Sequence, residues 1–177
     1  MAMTQCLLVW RLATFRAAPQ DFPVSPALLT AFCFLMAVSG VVSAKLANVP
    51  ERMWIDAGVE LAFTLVFVYV LLLLFRCPER FPQTMTALAG ISALFNVILM
   101  PLNYLAVQMS FGEAPAGVST PPFSAVMALV YLGIFIWIVR VIGHIMLHAL
   151  EVRLSFAVGI ALLYMAGNLV LSLSIHV

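Results

Sequence analysis

Residues 57–75 of the chain read AGVELAFTLVFVYVLLLLF and are almost entirely apolar. A segment of ~20 such residues is long enough to cross the hydrocarbon core of a bilayer as an α-helix. A helix is required there because lipid offers no partners to unpaired backbone N–H and C=O groups. The segment lacks the alternation with a period of two residues that a strand of a membrane β-barrel needs. It therefore predicts a transmembrane helix.

Further segments of the same kind lie on both sides of this one and are separated from it by short polar connections. They cover residues 27–44, 84–107, 123–142 and 154–173. Together these segments predict an all-α integral membrane bundle of five transmembrane helices within residues 27–177. The connection at 143–153 contains no proline, so the fourth helix can continue beyond residue 142.

The composition of the whole chain agrees with this prediction. Of its 177 residues, 65% are hydrophobic and 8% are charged, and the mean hydropathy is +1.16. A soluble domain carries ~25% charged residues, so this chain cannot cover a folded surface with polar groups. These values exclude a soluble globular enzyme and a disordered tail, and a net charge of +1 excludes a nucleic-acid binder. The predicted partners are the lipid bilayer and other membrane proteins, including further copies of the chain.

Residues 1–26 predict a cytoplasmic interfacial segment. Leu8, Leu12 and Phe15 have i, i+4, i+7 spacing, which places them in one narrow stripe on a helix. Arg11 and Arg16 flank the stripe, so we expect a short helix on the membrane surface, with a loosely ordered tail as the alternative. The first apolar stretch is too short for a signal peptide, and the arginines follow it. No cleaved signal peptide is therefore expected.

The distribution of basic residues predicts an orientation. With the N-terminus inside, six arginines lie on or near the cytoplasmic side, namely Arg11, Arg16, Arg76, Arg80, Arg140 and Arg153. Only Lys45 and Arg52 lie outside. Five crossings then place the C-terminus outside. The predicted location is a bacterial cytoplasmic membrane.

The third apolar segment carries polar side chains, which are candidates for function because their burial in a membrane is costly. Asn96 and Asn103 are seven residues apart and share a helix face, with Tyr104 adjacent and Pro101 between them. One interpretation is a path for a substrate or ion. The other is hydrogen bonding between helices, worth ~0.6 kcal/mol for each bond.

Two carboxylates, Asp56 and Glu60, are spaced i, i+4 at the start of the second segment. Carboxylates are favoured near a helix N-terminus by the helix dipole, which is a structural explanation for the pair. The functional alternative is a site where a proton or cation enters, in which Glu60 lies within one turn of the hydrocarbon. Lys45 and Arg52 are the candidate ion-pair partners of Glu60.

A third candidate group is formed by His144, His148 and Glu151, which share one face if the fourth helix continues. Two imidazoles at i, i+4 can chelate zinc or copper, and haem ligation is a further alternative. Arg140 on the same stripe opposes a metal and favours an anionic or protein partner. We therefore expect an interfacial polar stripe without an assigned metal or cofactor. The predicted interaction surface consists of Arg140, His144, His148, Glu151, Arg76 and Arg80.

The three cysteines, Cys6, Cys33 and Cys77, show no metal-binding spacing. Arg76 beside Cys77 can favour a thiolate, although a cysteine without a special role is the simpler interpretation. The sequence also contains no motif that pairs a nucleophile with a base, so no catalytic residues are assigned and no enzymatic activity is expected.

Several local patterns show a family resemblance. The third segment begins after Phe81-Pro82-Gln83-Thr84, the fourth carries Phe135-Ile136-Trp137, and the turn Gly143-His144-Ile145-Met146-Leu147-His148-Ala149-Leu150 leads into the fifth. With five closely spaced spans, the chain resembles the Yip family of membrane proteins, particularly its small bacterial relatives. Eukaryotic members are adaptors that bind small GTPases, partly through a longer cytoplasmic N-terminus that this chain lacks. The family supplies no catalytic residues.

Three functions follow as hypotheses. The first is a non-enzymatic scaffold or assembly partner within the membrane. The alternative is a small transporter or channel subunit, with Asn96, Asn103 and Tyr104 of the third span lining the path and Glu60 at its outer end. A further alternative is a metal- or haem-binding subunit of a membrane complex.

Overall fold

The computed structural model describes residues 2–46, 53–111 and 121–175, and within these ranges every regular element is helical. The α-helices are α1 (Ala2–Ala13), α2 (Pro26–Leu46), α3 (Met53–Leu74), α4 (Phe81–Phe111), α5 (Pro121–Leu150) and α6 (Leu154–Ile175). Single turns of 3-10 helix lie at Pro19–Asp21 and Pro78–Arg80.

Five of the helices, α2 to α6, are long and apolar enough to cross a membrane. This confirms the predicted all-α membrane bundle, and the chain is a multi-pass membrane protein. The predicted segments agree with the helices in order and number, but α4 and α5 are longer than the apolar runs within them. The fourth helix does continue beyond residue 142 and ends at Leu150.

Local sequence explains where several helices begin and end. Pro26 starts α2, where its missing N–H costs no hydrogen bond, and the Ser25 hydroxyl accepts a bond from the Leu28 N–H at 3.4 Å. At the end of α3, Arg76 has a φ of +59°, and the Cys77 N–H returns to the Leu72 carbonyl at 2.9 Å. This bond closes the last turn before Pro78, which cannot continue the helix.

The two ends of the bundle differ in their charged groups. The arginine end is defined here by the end of α3, the start of α4 and the α5–α6 connection, where Arg76, Arg80 and Arg153 lie. The opposite end contains the end of α2 and the start of α3. In the arginine half the helices pack tightly, and several large side chains there are completely buried: Leu72, Met85, Leu88, Val141, Ile145 and Met146.

The N-terminal helix α1 forms as predicted, and one side of it packs against the bundle. Leu12 and Ala13 are completely buried and Val9 is nearly so. A Cβ atom on Gly90 would lie 2.9 Å from Val9 Cγ2, so α1 packs on α4 where α4 has no side chain. Gly90 is nine residues into α4, a rise of ~14 Å, so α1 lies beside the first half of that helix.

The predicted lipid-facing stripe is therefore wrong for Leu12, which contacts protein. Phe15 does not belong to the helical stripe, because α1 ends at Ala13 and Phe15 has a φ of +60°. The Arg16 N–H bonds back to the Arg11 carbonyl at 2.7 Å, which reverses the chain at this point. Trp137 on α5 then donates its Nε1–H to the Ala13 carbonyl at 2.9 Å and holds the end of α1 against the bundle.

Candidate functional site

A carboxylate lies inside the opposite half of the bundle. Glu60 is seven residues into α3, a rise of ~10 Å, and its side chain is half-buried. A Cβ atom on Gly40 of α2 would lie 3.7 Å from Glu60 Oε2 and 3.8 Å from Asn96 Nδ2 of α4. The missing side chain at Gly40 thus leaves one small space that the Glu60 carboxylate and the Asn96 carboxamide share.

Three cavities adjoin at Glu60, and we refer to them together as the Glu60 chamber. One of about 270 Å³ lies between α2, α3 and α4, and one of about 300 Å³ lies between α3 and α6. A third of about 180 Å³ lies among α3, α4, α5 and α6 in the bundle interior. Because a water molecule occupies ~30 Å³ in the liquid, each cavity has room for several waters or for part of a small solute. The polar side chains around the chamber are Ser43, Asp56, Ser92, Asn96, Asn103, Tyr164, Asn168 and Ser172.

The two asparagines of α4 both line the chamber and bond to neighbouring helices. Asn96 donates to the Ser39 hydroxyl at 3.2 Å, and Asn103 donates to the Ser43 hydroxyl at 3.3 Å. The Tyr131 hydroxyl donates to Asn103 Oδ1 at 2.9 Å. The helix-contact interpretation of these residues is therefore confirmed, and their place in the cavity lining is compatible with the path interpretation as well.

Tyr104, which was expected to share this polar face, does not line the chamber. Its side chain is 47% exposed on the outside of α4. A step of one residue along a helix turns the side chain by ~100°, so the neighbour of a chamber residue points elsewhere. The prediction for Tyr104 is wrong for this reason.

On the other side of the chamber, α3 and α6 are joined by a chain of hydrogen bonds. The Thr64 hydroxyl donates to the Glu60 carbonyl at 2.8 Å, so its proton is used and it accepts from the Tyr164 hydroxyl at 2.9 Å. Asn168 donates to the Tyr164 carbonyl at 3.2 Å. Sequence reasoning missed Tyr164 and Thr64. The available signal was their i, i+4 spacing with Asn168 and Glu60 respectively.

Toward the arginine end the chamber is bordered by an apolar layer. The layer consists of Ile91, Phe95, Ile138 and Ile142, which line the inner cavity. Phe95 packs edge-to-face on Trp137 with ring centroids 5.0 Å apart. At the opposite end, the exposed Ser172 lines the cavity between α3 and α6, so the chamber reaches the surface there.

The side chains that line the chamber give it acidic character. Asp56 and Glu60 line it, and no basic residue of the described ranges does. Among residues 2–46, 53–111 and 121–175, the only ion pair joins Arg80 and Glu151. The predicted pair of Glu60 with Lys45 therefore does not form, and Arg52 lies outside the described residues.

The chain's own N-terminal segment contacts part of the predicted interaction stripe on α5. His144 Nε2 lies 3.0 Å from the Ala17 carbonyl, and the Phe15 ring packs edge-on against the imidazole at 5.4 Å. The Arg140 guanidinium lies over the Phe15 ring, 5.4 Å from the ring centroid. The Gln20 amide donates to the His148 carbonyl. His144 and His148 are half-buried by these contacts, whereas Arg140 remains exposed, and the interaction surface stays a prediction.

Glu151 does not complete a metal site with the histidines. The α5 helix ends at Leu150, and Glu151 has a φ of +54°, which takes its side chain off the helical face. There it pairs with Arg80, whose guanidinium also donates to the Ala149 carbonyl at 3.1 Å. His144 and His148 do lie together, with ring centroids 4.5 Å apart. Within the described parts of the chain, no group of three His, Cys, Asp or Glu side chains can hold a metal ion.

Of the remaining candidates, Arg76 is exposed at the end of α3 and Cys77 is half-buried beside it. Burial raises the pKa of the Cys77 thiol, although Arg80 acts in the opposite direction. The thiol Sγ lies 3.8 Å from the Ala149 carbonyl oxygen. These surroundings favour a neutral thiol and disfavour the thiolate interpretation.

The chain was compared with family models, curated proteins and solved structures. No family model, no curated protein and no solved structure matches the chain. The resemblance to the Yip family accordingly rests on the sequence patterns alone, and the functional argument depends on the geometry of the Glu60 chamber.

Proposed function

We propose that this chain is a non-enzymatic membrane protein that binds a small polar solute in the Glu60 chamber, as a small transporter or as a subunit of one. The observation that carries the proposal is a half-buried carboxylate, at the junction of three cavities, in a helix of the bundle. Ionisable groups inside a membrane are costly and mark substrate or ion pathways. Ligand sites are typically concave, with a few convergent polar groups among apolar ones.

An apolar layer between Glu60 and the arginine end supports a carrier better than an open channel. Transport by alternating access needs a site near the middle of the membrane that opens to one side at a time. Here the apolar layer at Phe95 and Ile142 separates Glu60 from the arginine end. Moving that layer is the step that would expose Glu60 to the second side.

The side of the membrane follows from the charge distribution, and we propose it together with the function. Cytoplasmic ends of membrane helices carry the excess of basic residues, so the arginine end faces the cytoplasm. The N-terminus is then inside, the C-terminus outside and the open end of the chamber external. A bacterial cytoplasmic membrane is the proposed location. A reporter fused after Ile175 that is active only in the cytoplasm would reverse this orientation.

Cysteine labelling tests whether the chamber admits water. In a background with Cys6, Cys33 and Cys77 replaced by serine, we expect Asn168→Cys to react with a membrane-impermeant thiol reagent. Val141→Cys is the matched control, because Val141 is completely buried in the arginine half and stays unreactive. If Ser172→Cys at the open end reacts while Asn168→Cys does not, the chamber is dry and the proposal fails.

The assembly role remains a second proposal, and a specific surface favours it. The arginine end carries four exposed charged side chains that the N-terminal segment leaves uncovered: Arg76, Glu79, Glu151 and Arg153. Such a surface suits a cytoplasmic partner of mixed charge. Alanine at Arg76 and Arg153 should reduce copurification of partners in mild detergent without reducing the amount of the chain. Undiminished partner recovery would contradict this role.

A further inference from the structure

We infer that the solute bound in the Glu60 chamber is a small organic ammonium ion, whose charge the Glu60 carboxylate neutralises. This inference rests on the proposed function, and it names the chemical class of the solute. The charge, the size and the aromatic lining of the chamber favour such an ion.

The charge of the chamber selects a cation. Its ionisable lining residues are acidic, and no basic residue of the described ranges joins them. An anionic solute would lie beside Glu60 with no basic side chain of residues 2–46, 53–111 or 121–175 to compensate it, at a low dielectric constant that strengthens the repulsion. A neutral solute would leave Glu60 to be neutralised by a proton, whereas a cation compensates the carboxylate directly. A cation is the solute that removes this cost.

The size of the chamber argues against a bare metal ion. Hard cations such as Ca²⁺ need six to eight oxygen ligands at ~2.3–2.6 Å. Within the described residues, no group of three His, Cys, Asp or Glu side chains offers a metal site. The adjoining cavities have volumes of about 300 Å³ and 270 Å³. Because a water molecule occupies ~30 Å³ in the liquid, each cavity can instead hold a solute of several non-hydrogen atoms.

Aromatic rings also line the chamber. Phe95 and Tyr164 line the inner cavity together with Glu60. Both rings are held in place: Tyr164 stacks on Phe63 with ring centroids 5.9 Å apart, and Phe95 packs on Trp137 at 5.0 Å. Ring faces attract organic cations, and the attraction increases when the site excludes water. Rings that are already fixed lose little conformational entropy when a solute binds.

Amide oxygens supply the remaining polar contacts. Asn96 and Asn168 use their Nδ2 groups in bonds to Ser39 and to the Tyr164 carbonyl. Their Oδ1 atoms can then accept an N–H or O–H bond from a small organic cation, which for choline is the bond from its hydroxyl group. A carboxylate, two amide oxygens and two aromatic rings form a set that matches an alkylammonium head and offers nothing specific to a carboxylate or phosphate.

The test compares choline with its neutral carbon isostere, 3,3-dimethylbutan-1-ol, on the purified full chain in lipid nanodiscs. We expect saturable choline binding that is at least tenfold tighter than binding of the isostere. Glu60→Gln should weaken choline binding at least tenfold, while Glu60→Asp should retain part of it. Glu79→Gln, which removes the same charge from the arginine end, should have no effect. Tyr164→Leu should weaken binding roughly two- to thirtyfold.

A second measurement covers the case in which a Glu60 variant does not fold. Choline should slow the labelling of Ser172→Cys at the open end of the chamber, and the isostere should not. Equal affinity for choline and the isostere overturns the ammonium inference and leaves the proposed function standing. Absence of choline binding, with Asn168→Cys still reactive, also overturns the inference alone. Absence of binding with Asn168→Cys unreactive overturns both.

Discussion

The two halves of α4 have similar apolar sequences and different surroundings. In the first half, residues 84–91 are buried on every side of the helix, because α1, α2 and the Pro19–Asp21 turn surround it. In the second half, none of residues 97–108 is buried, and Asn96 and Asn103 line the Glu60 chamber. The contrast shows that neighbours decide what an apolar membrane helix does. One half is packed against protein, and the other is left open around polar groups.

The N-terminal segment is the main cause of this contrast. Val9 and Leu12 of α1 cover α4 at Gly90, and Gln83 at the start of α4 donates to the Gln20 and Phe22 carbonyls at 3.1 Å and 2.9 Å. No comparable segment covers the second half of α4 within the described residues. The tight half thus holds the helices in place, and the loose half provides the space in which a solute can bind.

The largest expected effect is on packing in the tight half. Leu88→Ala removes a completely buried side chain and leaves a cavity, so we expect a loss of ~2–5 kcal/mol in the free energy of unfolding. The matched control is Leu129→Ala on α5, whose side chain is 67% exposed toward lipid and should lose little. Unfolding by denaturing detergent, monitored by circular dichroism, measures both. Equal losses at the two positions would remove the distinction between the halves.

A smaller effect is expected at the contact between α1 and α4. In Gly90→Ala, the new Cβ atom would lie 2.9 Å from Val9 Cγ2 and 3.2 Å from the Phe32 ring, and we expect a loss of ~1–3 kcal/mol. Gly133→Ala is the control, because nothing lies within 4 Å of its new Cβ atom, and its helix propensity improves.

The same position also tests where α1 lies. If the contact is as described, Val9→Ala should recover most of the stability lost in Gly90→Ala, since it removes the opposing methyl group. Protease cleavage between α1 and α2 should increase in Gly90→Ala and return to the original rate in the double variant. A Gly90→Ala chain as stable as the original would place α1 elsewhere, for example on the membrane surface.

These contacts also show how far the sequence alone can lead. The five spans were predictable because every lipid-facing position must be apolar, a requirement that hydropathy reads directly. The position of α1 was not, because it depends on a missing side chain at Gly90 meeting Val9, some eighty residues away in the sequence. The end of α5 was hidden for another reason: Glu151 adopts a positive φ although it is not glycine.

The Glu60 chamber was predictable from the sequence in part. The importance of Glu60, Asn96 and Asn103 follows from the cost of polar groups in lipid, which is visible in the sequence. Their convergence depends on Gly40, which has no polar group, and on α6, which supplies Asn168. The i, i+4, i+7 spacing of the histidine stripe predicts one face of a helix. It carries no information about the segment that covers that face.

The smallest expected effect concerns the ion pair at the arginine end. The Glu151 side chain is 71% exposed, so Glu151→Gln should lower the free energy of unfolding by ~0–1 kcal/mol, and by less in high salt. Arg80→Gln should cost more, because Arg80 also donates to the His148 and Ala149 carbonyls at the end of α5. A double-variant cycle with both changes isolates the pair. A coupling energy well above this range would mean that electrostatics, and not the packing around Leu88, holds the tight half together.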